Sequence, residues 1–436
     1  TQHENMAADV HHISLRVSNA RRLLKDLVDK FHFSLFTERV EERAKQFAVH
    51  SGSAIFVVNE RTAGEEGEVI QTGLCNNVSG VTSESTRNCC SGGCHHLYDF
   101  SDIDTPVDSV CNVAFEVEDV DSTLERVVRA GGRVLTDIKV TEDEQGSVTH
   151  AVVQSPIGNV VHTLLDKKLY KGLFLPGFEA TNGASRMQES TARLSHFDHV
   201  TYACPMGSSP PILEWYERCL GLKRFLVNRD ESEDQGFIVQ GTDVGMRLKA
   251  FEYWKCAKEG LSMPGSSSDA KPKVKFVIAE PLPGQGPNQV ETFLEQHGGP
   301  GIQHIGLHTP DIVSSTRQLR AAHVQLLKPP DTYYSEIGKL SEIHQVGQSL
   351  TALKDNGVLL DAEADAADND HWNNNQRYLM QVFTKPIFDE DTFFLEIIQR
   401  CGATGFGAGN ITALWRSVQA YLDQREQQEK SKNKSS

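Results

Sequence analysis

The pattern of apolar and polar positions along the chain occurs twice. Three segments of the first half have counterparts in the second: residues 10–17 and 197–203, residues 112–129 and 304–319, and residues 152–165 and 379–398. In the first two pairs, strand-like alternation leads into a stretch with the spacing of an amphipathic helix. In the second pair, Asp119 or Asp311 stands at the turn between strand and helix, as at a helix start. In the third pair, two apolar runs flank a turn, so we predict two halves that share one strand–helix–strand plan.

A polar stretch separates the two halves. Residues 179–193 are rich in small residues and follow neither the helical nor the strand period. We predict four regions: an N-terminal domain over residues 8–178, a linker over residues 179–194, a C-terminal domain over residues 195–410, and a C-terminal helix and tail over residues 411–436. The length of 436 residues also suits two domains better than a single core.

Composition narrows the classes of partner. The formal net charge of −16 repels phosphate backbones and anionic lipids, so we expect neither nucleic acid nor a membrane surface as a partner. No apolar stretch approaches the length of a spanning helix, so we expect no transmembrane segment. Nine cysteines without regular spacing indicate reduced thiols in an intracellular compartment.

Three ionisable residues stand on strand-like segments of the second half. His199, His304 and Glu396 each lie on a strand whose opposite face is apolar. A carboxylate in such a setting is costly to bury unless a charged group pairs with it. A divalent metal held by two imidazoles and this carboxylate would supply that partner, and this is the ligand set of non-haem Fe(II) oxygenases. A single strand histidine, by contrast, is more often a hydrogen-bonded core residue than a ligand.

The repeat confines the predicted metal site to one half. The equivalent positions of the first half carry His12, Asn112 and Thr163. Only one of these three is a usual metal ligand. We therefore expect the first domain to bind no metal.

Two other motifs are weaker candidates for a ligand site. Residues 89–96 (CCSGGCHH) resemble part of a zinc site but have no second paired-cysteine unit at the required spacing. Residues 402–410 (GATGFGAGN) are glycine-rich but lack the Lys-Ser/Thr of a phosphate-binding loop. We expect neither to carry the function.

Several motifs around Glu396 match a known family. They are residues 174–178 (FLPGF), 298–307 (GGPGIQHIGL), 332–334 (TYY), 378–386 (YLMQVFTKP), 392–400 (TFFLEIIQR) and 405–410 (GFGAGN). In combination they resemble the signature of the 4-hydroxyphenylpyruvate dioxygenases, and the resemblance spans both halves. Residues 204–210 (CPMGSSP) and 411–419 (ITALWRSVQ) resemble in particular the animal 4-hydroxyphenylpyruvate dioxygenase-like proteins.

The resemblance implies an α+β fold of two vicinal-oxygen-chelate domains. Each domain would consist of paired βαβββ modules that form an open β-barrel, with a C-terminal gating helix over the second. The resemblance also implies that His199, His304 and Glu396 hold Fe(2+), one ion per chain, with dioxygen as co-substrate. The expected substrate is a small aromatic 2-oxo acid, 4-hydroxyphenylpyruvate, which the family decarboxylates and hydroxylates.

The same resemblance assigns residues to the substrate. Phe383 and Phe394 match the pair that sandwiches the substrate ring, and Phe406 and Asn410 match the gating helix. Three glutamines match polar contacts around the substrate. The expected substrate-binding residues are Gln289, Gln303, Gln381, Phe383, Phe394, Phe406, Asn410 and Ile411.

The identity of the product is open. The homogentisate-forming dioxygenases have Phe where this chain has Ile411, and the 4-hydroxymandelate synthases have Ile. We therefore expect 4-hydroxymandelate, a precursor for the headgroup of coenzyme Q (ubiquinone), with homogentisate from tyrosine catabolism as the alternative. Ala279 stands where the dioxygenases usually have Asn, and residues 245–251 lack their Ser. A third hypothesis is therefore a non-catalytic binding protein on the same fold.

Location and assembly follow from the resemblance alone. Residues 21–30 are basic and amphipathic but contain two acids, so they give no clear targeting signal. The resemblance implies the mitochondrion, with the cytoplasm as the alternative. It also implies a homo-oligomer formed through the first domain.

Overall fold

The computed structural model describes most of the chain. The described residues are 8–41, 44–61, 96–100, 106–181, 194–226, 231–232, 234–241, 244–253, 273–284, 288–335, 338–363, 377–403, 405–407 and 409–411. Three predicted features fall wholly or mostly outside them: residues 89–95 of the cysteine-rich motif, residues 182–193 of the linker, and residues 412–436 of the C-terminal helix and tail.

The described strands form two mixed sheets. The first sheet contains β1 Ala8–Val17, β2 Ser34–Glu41, β3 Ala44–Ser51, β4 Ala54–Glu60, β5 Ser109–Val117, β6 Val134–Asp143, β7 Gly146–Gln154, β8 Val161–Asp166 and β9 Glu179–Ala180. The second sheet contains β10 Phe197–Ala203, β11 Leu222–Phe225, β12 Phe237–Gly241, β13 Val244–Tyr253, β14 Lys275–Pro281, β15 Gly301–His308, β16 Leu359–Glu363, β17 Arg377–Phe383 and β18 Phe394–Cys401.

Helices connect these strands. They are α1 Ala20–Asp29, α2 Val120–Arg129, α3 Ser209–Leu220, α4 Gln289–His297, α5 Ile312–Ala321, α6 Lys339–Gln345, α7 Leu350–Asn356 and a 3-10 helix Asp331–Ser335. Of the helices in the described stretches, none combines the length and apolarity needed to span a bilayer.

The strand order repeats between the sheets. The first sheet has the order β6-β7-β8-β5-β1-β4-β3-β2-β9, and the second has β16-β17-β18-β15-β10-β14-β13-β11, with β12 also paired to β13. Each sheet has a central antiparallel pair, β1 with β5 or β10 with β15, flanked on both sides by a parallel partner. The predicted internal repeat and the α+β class are confirmed.

Two helices begin where the repeat predicted. The Asp119 carboxylate accepts a hydrogen bond from the backbone N–H of Ser122 at 2.6 Å, and Asp311 accepts one from Ser314 at 3.0 Å. Each bond satisfies a backbone donor that the first helical turn leaves unpaired. The local signal at these two turns was therefore sufficient to locate α2 and α5.

The two sheets share one apolar core. Phe56 of the first sheet contacts Phe197 of the second, with ring centroids 5.1 Å apart. His162 Nε2 of β8 lies 2.9 Å from the hydroxyl of Tyr216 on α3, and both side chains are fully buried. The core is continuous across the two halves.

The first-half positions that match the metal candidates form a hydrogen-bonded network. The Asn112 amide donates to Thr163 Oγ1 at 2.8 Å and to the Tyr98 carbonyl at 3.0 Å, and the Thr163 hydroxyl donates to the same carbonyl at 2.8 Å. His12 Nδ1 lies 2.8 Å from Nδ1 of its neighbour His11. The polar groups of Asn112 and Thr163 thus satisfy each other, and the metal-free first domain stays a prediction.

Removing the Asn112 amide should destabilise the first half of the chain. In Asn112→Ala, the buried Tyr98 carbonyl and the Thr163 backbone N–H, which donates to Asn112 Oδ1 at 3.1 Å, lose a partner. We expect the free energy of unfolding in urea to fall by about 1–3 kcal/mol. Gln145→Ala, at an exposed position of the β6–β7 turn, should stay within about 0.5 kcal/mol of wild type. Equal stability of the two variants would contradict the role of the network.

Candidate metal centre

Three adjacent strands bring the candidate ligands to one level of the second sheet. β15 lies between β10 and β18, and the register places Gly306 opposite both His199 and Glu396. His304 stands two residues before Gly306 on the same face of β15. A Cβ atom at position 306 would lie 2.4 Å from Cε1 and Nδ1 of His199. The His199 ring therefore lies against β15 only because residue 306 is glycine.

The candidate ligand atoms converge. Glu396 Oε2 is 3.2 Å from Nε2 of His199 and 3.8 Å from Nε2 of His304. The three ligand atoms lie within 4.8 Å of one another, and all three residues are buried. No other such group occurs in the part of the chain that the structure describes. The structure thus brings together the three residues that the sequence predicted as ligands.

A β-bulge precedes each histidine and orients its ring. The register of β10 with β15 skips Asp198 and Gln303, the residues directly before His199 and His304. An extra residue interrupts strand alternation, and each bulge side chain lies beside the histidine that follows it. Asp198 Oδ1 is 2.8 Å from Nδ1 of His199, and Gln303 Oε1 is 3.3 Å from Nδ1 of His304. Both Nε2 atoms are left to face Glu396, as in metal-binding histidines.

The charges around the three side chains suit a cation. Burial opposes a proton on His199, but Glu396 and Asp198 outweigh it and raise the His199 pKa to about 9. Burial and the nearby His199 hold the pKa of His304 well below its usual value, so its Nε2 is an electron-pair donor at neutral pH. A divalent cation that replaces the His199 proton would interact with all three groups.

A buried arginine completes the group behind His199. Arg400 Nε and Nη2 lie 2.6 and 2.7 Å from the two carboxylate oxygens of Asp198. Although burial opposes it, the Arg400 charge holds the pKa of Asp198 well below its usual range. The sequence patterns pointed to neither residue. Arg400 stands four residues after Glu396 on β18, so alternation alone could have placed both on one face, whereas Asp198 lies beside His199 only because of the bulge.

A small cavity adjoins the ligands. Its volume is about 40 Å³. Besides the three ligands it is lined by Thr201, Leu248, Val277, Gln381, Phe383, Phe406, Asn410 and Ile411. The last five are predicted substrate-binding residues, and the walls are mainly apolar, as in small-molecule sites.

Three predicted substrate-binding residues do not line this cavity. The Phe394 ring stacks on His304, with centroids 4.8 Å apart, and meets Phe383 at 6.4 Å with a 73° angle between the rings. The two rings thus meet edge to face. Gln303 lies against Nδ1 of His304, and Gln289 is buried at the first residue of α4. The roles of these residues in substrate binding stay predictions.

The residues after β18 cover the cavity. We call residues 403–411 the closing segment, of which 403, 405–407 and 409–411 are described. Gln381 Nε2 donates to Glu396 Oε1 at 3.0 Å and to the Phe406 carbonyl at 3.2 Å. Gln381 Oε1 accepts from the Asn410 amide at 3.0 Å. One glutamine thus joins the ligand Glu396 to two residues of the closing segment.

The residues present fit an Fe(II) ion. Two imidazole nitrogens and one carboxylate oxygen that leave coordination positions open form the facial triad of non-haem Fe(II) oxygenases. The cavity of about 40 Å³ lies beside the ligand atoms. Asp198 and Gln303 supply the second contacts that orient metal-binding histidines.

Comparison with known proteins identifies the superfamily and the fold. Residues 196–339 match the family model of the glyoxalase/bleomycin resistance protein/dioxygenase superfamily. A triple mutant of 4-hydroxymandelate synthase from Streptomyces coelicolor has a TM-score of 0.70 with this chain at 22% identity, over 95% of this chain and 99% of that one. The chain therefore has the vicinal-oxygen-chelate fold.

Sequence similarity then gives the family. The 4-hydroxyphenylpyruvate dioxygenase-like protein of Rattus norvegicus is 36% identical over 412 residues, which cover 94% of this chain and 95% of the relative. The 4-hydroxyphenylpyruvate dioxygenase of Xenopus tropicalis is 31% identical over 323 residues, 73% of each chain. This chain belongs to the 4-hydroxyphenylpyruvate dioxygenase family.

Two glycine substitutions on β15 should separate metal binding from folding. In Gly306→Ala the new Cβ must displace the His199 ring, so we expect the affinity for Co(II) in calorimetric titration to fall by about 10–100-fold. Gly301→Ala is the matched control, because its Cβ would lie 2.5 Å from Cε1 of His297, which is not a candidate ligand. Thermal melting should show a loss of stability in both variants, whereas the control keeps its affinity for Co(II). An unchanged affinity for Co(II) in Gly306→Ala would contradict the claim that His199, held beside Gly306 and Glu396, binds the metal.

Proposed function

We propose that this protein is an Fe(II)-dependent dioxygenase that acts on 4-hydroxyphenylpyruvate by oxidative decarboxylation and hydroxylation. The observation that carries the proposal is the convergence of His199, His304 and Glu396 on one buried point beside a mainly apolar cavity. The family membership of the chain supports the same reaction class.

The chain's own residues would hold and orient the reactants. His199, His304 and Glu396 would hold the iron, which when bound supplies the redox chemistry between dioxygen and the 2-oxo acid. In the overall reaction one carbon leaves as CO2, and the two atoms of dioxygen end in the new carboxylate and the new hydroxyl. The ring of Phe383 and the apolar walls would position the substrate ring and exclude water.

Substrate entry requires the closing segment to move. A cavity of about 40 Å³ is much smaller than usual small-molecule sites, which measure about 300–1,000 Å³. The closing segment, with Phe406, Asn410 and Ile411, forms one wall of this cavity. Opening of this segment would admit the substrate, and reclosure would protect the reaction from water.

The proposed product is 4-hydroxymandelate. Ile411 is 6% exposed and lines the cavity beside Leu248 and Val277. A smaller side chain than Phe at this position leaves space into which the substrate ring can turn, so that its benzylic carbon faces the oxidant. 4-Hydroxymandelate would serve as a precursor of the coenzyme Q headgroup. Homogentisate is the second candidate product, since packing differences of roughly 1–3 kcal/mol redirect such chemistry.

The cellular setting is part of the proposal. We propose a mitochondrial location, with the cytoplasm as the alternative, and a homo-oligomer as the assembled form. Both rest on the family resemblance, and fractionation and light scattering would test them.

Oxygen uptake tests the proposed reaction. With Fe(II) and 4-hydroxyphenylpyruvate, the wild type should consume dioxygen and release CO2 in equal amounts. His199→Ala, His304→Ala and Glu396→Ala should each abolish uptake, because each removes one of three protein ligands. His12→Ala, at the equivalent position of the first half, is the matched control and should keep both uptake and iron content. A wild type that binds Fe(II) without any uptake would favour the non-catalytic hypothesis.

Substitution of Ile411 tests the proposed product. Ile411→Phe fills space beside the substrate ring, so we expect mass spectrometry to show a shift from 4-hydroxymandelate towards homogentisate. Ile411→Leu conserves the volume and should keep the wild-type product. Homogentisate as the main product of the wild type would reject the assignment. If Ile411→Phe forms only 4-hydroxymandelate, another residue determines the product.

A further inference from the structure

We propose that Arg400 is a positioning residue that couples the closing segment to the ligand His199 through Asp198. The proposal rests on the proposed function in one respect, because it takes His199 as a metal ligand. It follows from the two sets of contacts that a single buried guanidinium makes.

The first set of contacts orients His199. Arg400 binds both carboxylate oxygens of Asp198, at 2.6 and 2.7 Å, the two-point geometry that fixes a carboxylate most firmly. Asp198 Oδ1 also lies 2.8 Å from Nδ1 of His199. An Asp198 carboxylate fixed in this way holds the His199 ring so that its Nε2 faces Glu396.

The second set of contacts holds the closing segment. Arg400 Nη1 donates to the carbonyls of Gly405 and Ala403. The guanidinium carbon also lies 5.5 Å from the centre of the Phe406 ring, within the range of a cation–π contact. The same Phe406 ring meets the His199 ring edge-on, with centroids 5.2 Å apart. Arg400 therefore links the closing segment to Nδ1 of His199 through Asp198, and Phe406 links it to the His199 ring directly.

These contacts predict a reciprocal effect. If the closed segment helps to orient His199, then metal binding must stabilise the closed segment by the same free energy. A lysine could neutralise Asp198, but its ammonium lacks the rigid planar fork with which a guanidinium binds both carboxylate oxygens side by side. If the Arg400–Asp198 ion pair were purely structural, its loss would lower only the stability of the protein, and metal binding would not affect the closing segment.

The test measures metal affinity and segment closure together on the full-length chain. Co(II) serves as an air-stable probe, its affinity is measured by calorimetry, and hydrogen exchange is followed in peptides that contain residues 403–411. In the wild type, Co(II) should slow exchange in these peptides. Arg400→Lys should weaken Co(II) binding by about 10-fold and abolish the Co(II)-dependent protection, even when Co(II) is saturating. Asp198→Asn, which keeps the shape but not the charge, should act in the same direction if the lysine variant does not fold.

A matched control is available in the same domain. Arg320 also donates to two backbone carbonyls, those of Asp355 and Asn356, and among the described residues it has no hydrogen bond to the ligands or to the closing segment. Arg320→Lys should keep both the affinity and the protection. Wild-type affinity and protection in Arg400→Lys would overturn the coupling and leave the proposed function intact. A wild type that binds no Co(II) would overturn the proposed function and the coupling with it.

Discussion

A carboxylate buried inside an apolar sheet is the constraint on which the metal centre depends. Glu396 is 2% exposed, and a lone charge at such a depth costs several kcal/mol. Its two oxygens have separate partners: Oε2 faces the two imidazoles, and Oε1 accepts from Gln381. The strand register places Gly306 between His199 and Glu396. A larger residue there would push the His199 imidazole away from Glu396 Oε2.

The internal repeat provides the same strand arrangement without a carboxylate at the position of Glu396. The register of the first sheet pairs His12 with Ala114, as the second pairs His199 with Gly306. Asn112 and Thr163 stand at the positions of His304 and Glu396, and their neutral groups complete each other's hydrogen bonds. A neutral network needs no cation, whereas a carboxylate between two imidazoles favours one. The difference between the halves therefore lies in a few side chains and not in the topology.

The sequence pattern predicted those strands and helix starts that depend on regular periodicity and on local signals. The strands with the three ligands follow a two-residue period, and Asp119 is a residue type that often begins a helix. The predictions of these strands and of this helix start were therefore correct. The pattern failed at the bulges, because an extra residue has no signature in a single sequence. Asp198 was missed for this reason. Gln303, at the other bulge, lies against His304, and its expected role in substrate binding stays a prediction. The partner of Asp198 is 202 positions away along the chain, a separation that no local pattern detects.

The cover of the cavity and the metal ligands form one hydrogen-bonded unit. Gln381 binds Glu396 and the closing segment at the same time, and Arg400 reaches the same segment from the His199 side. The segment therefore cannot move away without removing a partner from groups that orient two of the three ligands. Such groups are costly to leave unpaired in a buried setting, so closure and ligand geometry favour each other. Ile411 lies at the end of this segment, and the shape of the cavity around the substrate ring thus depends on the contacts that also orient the ligands.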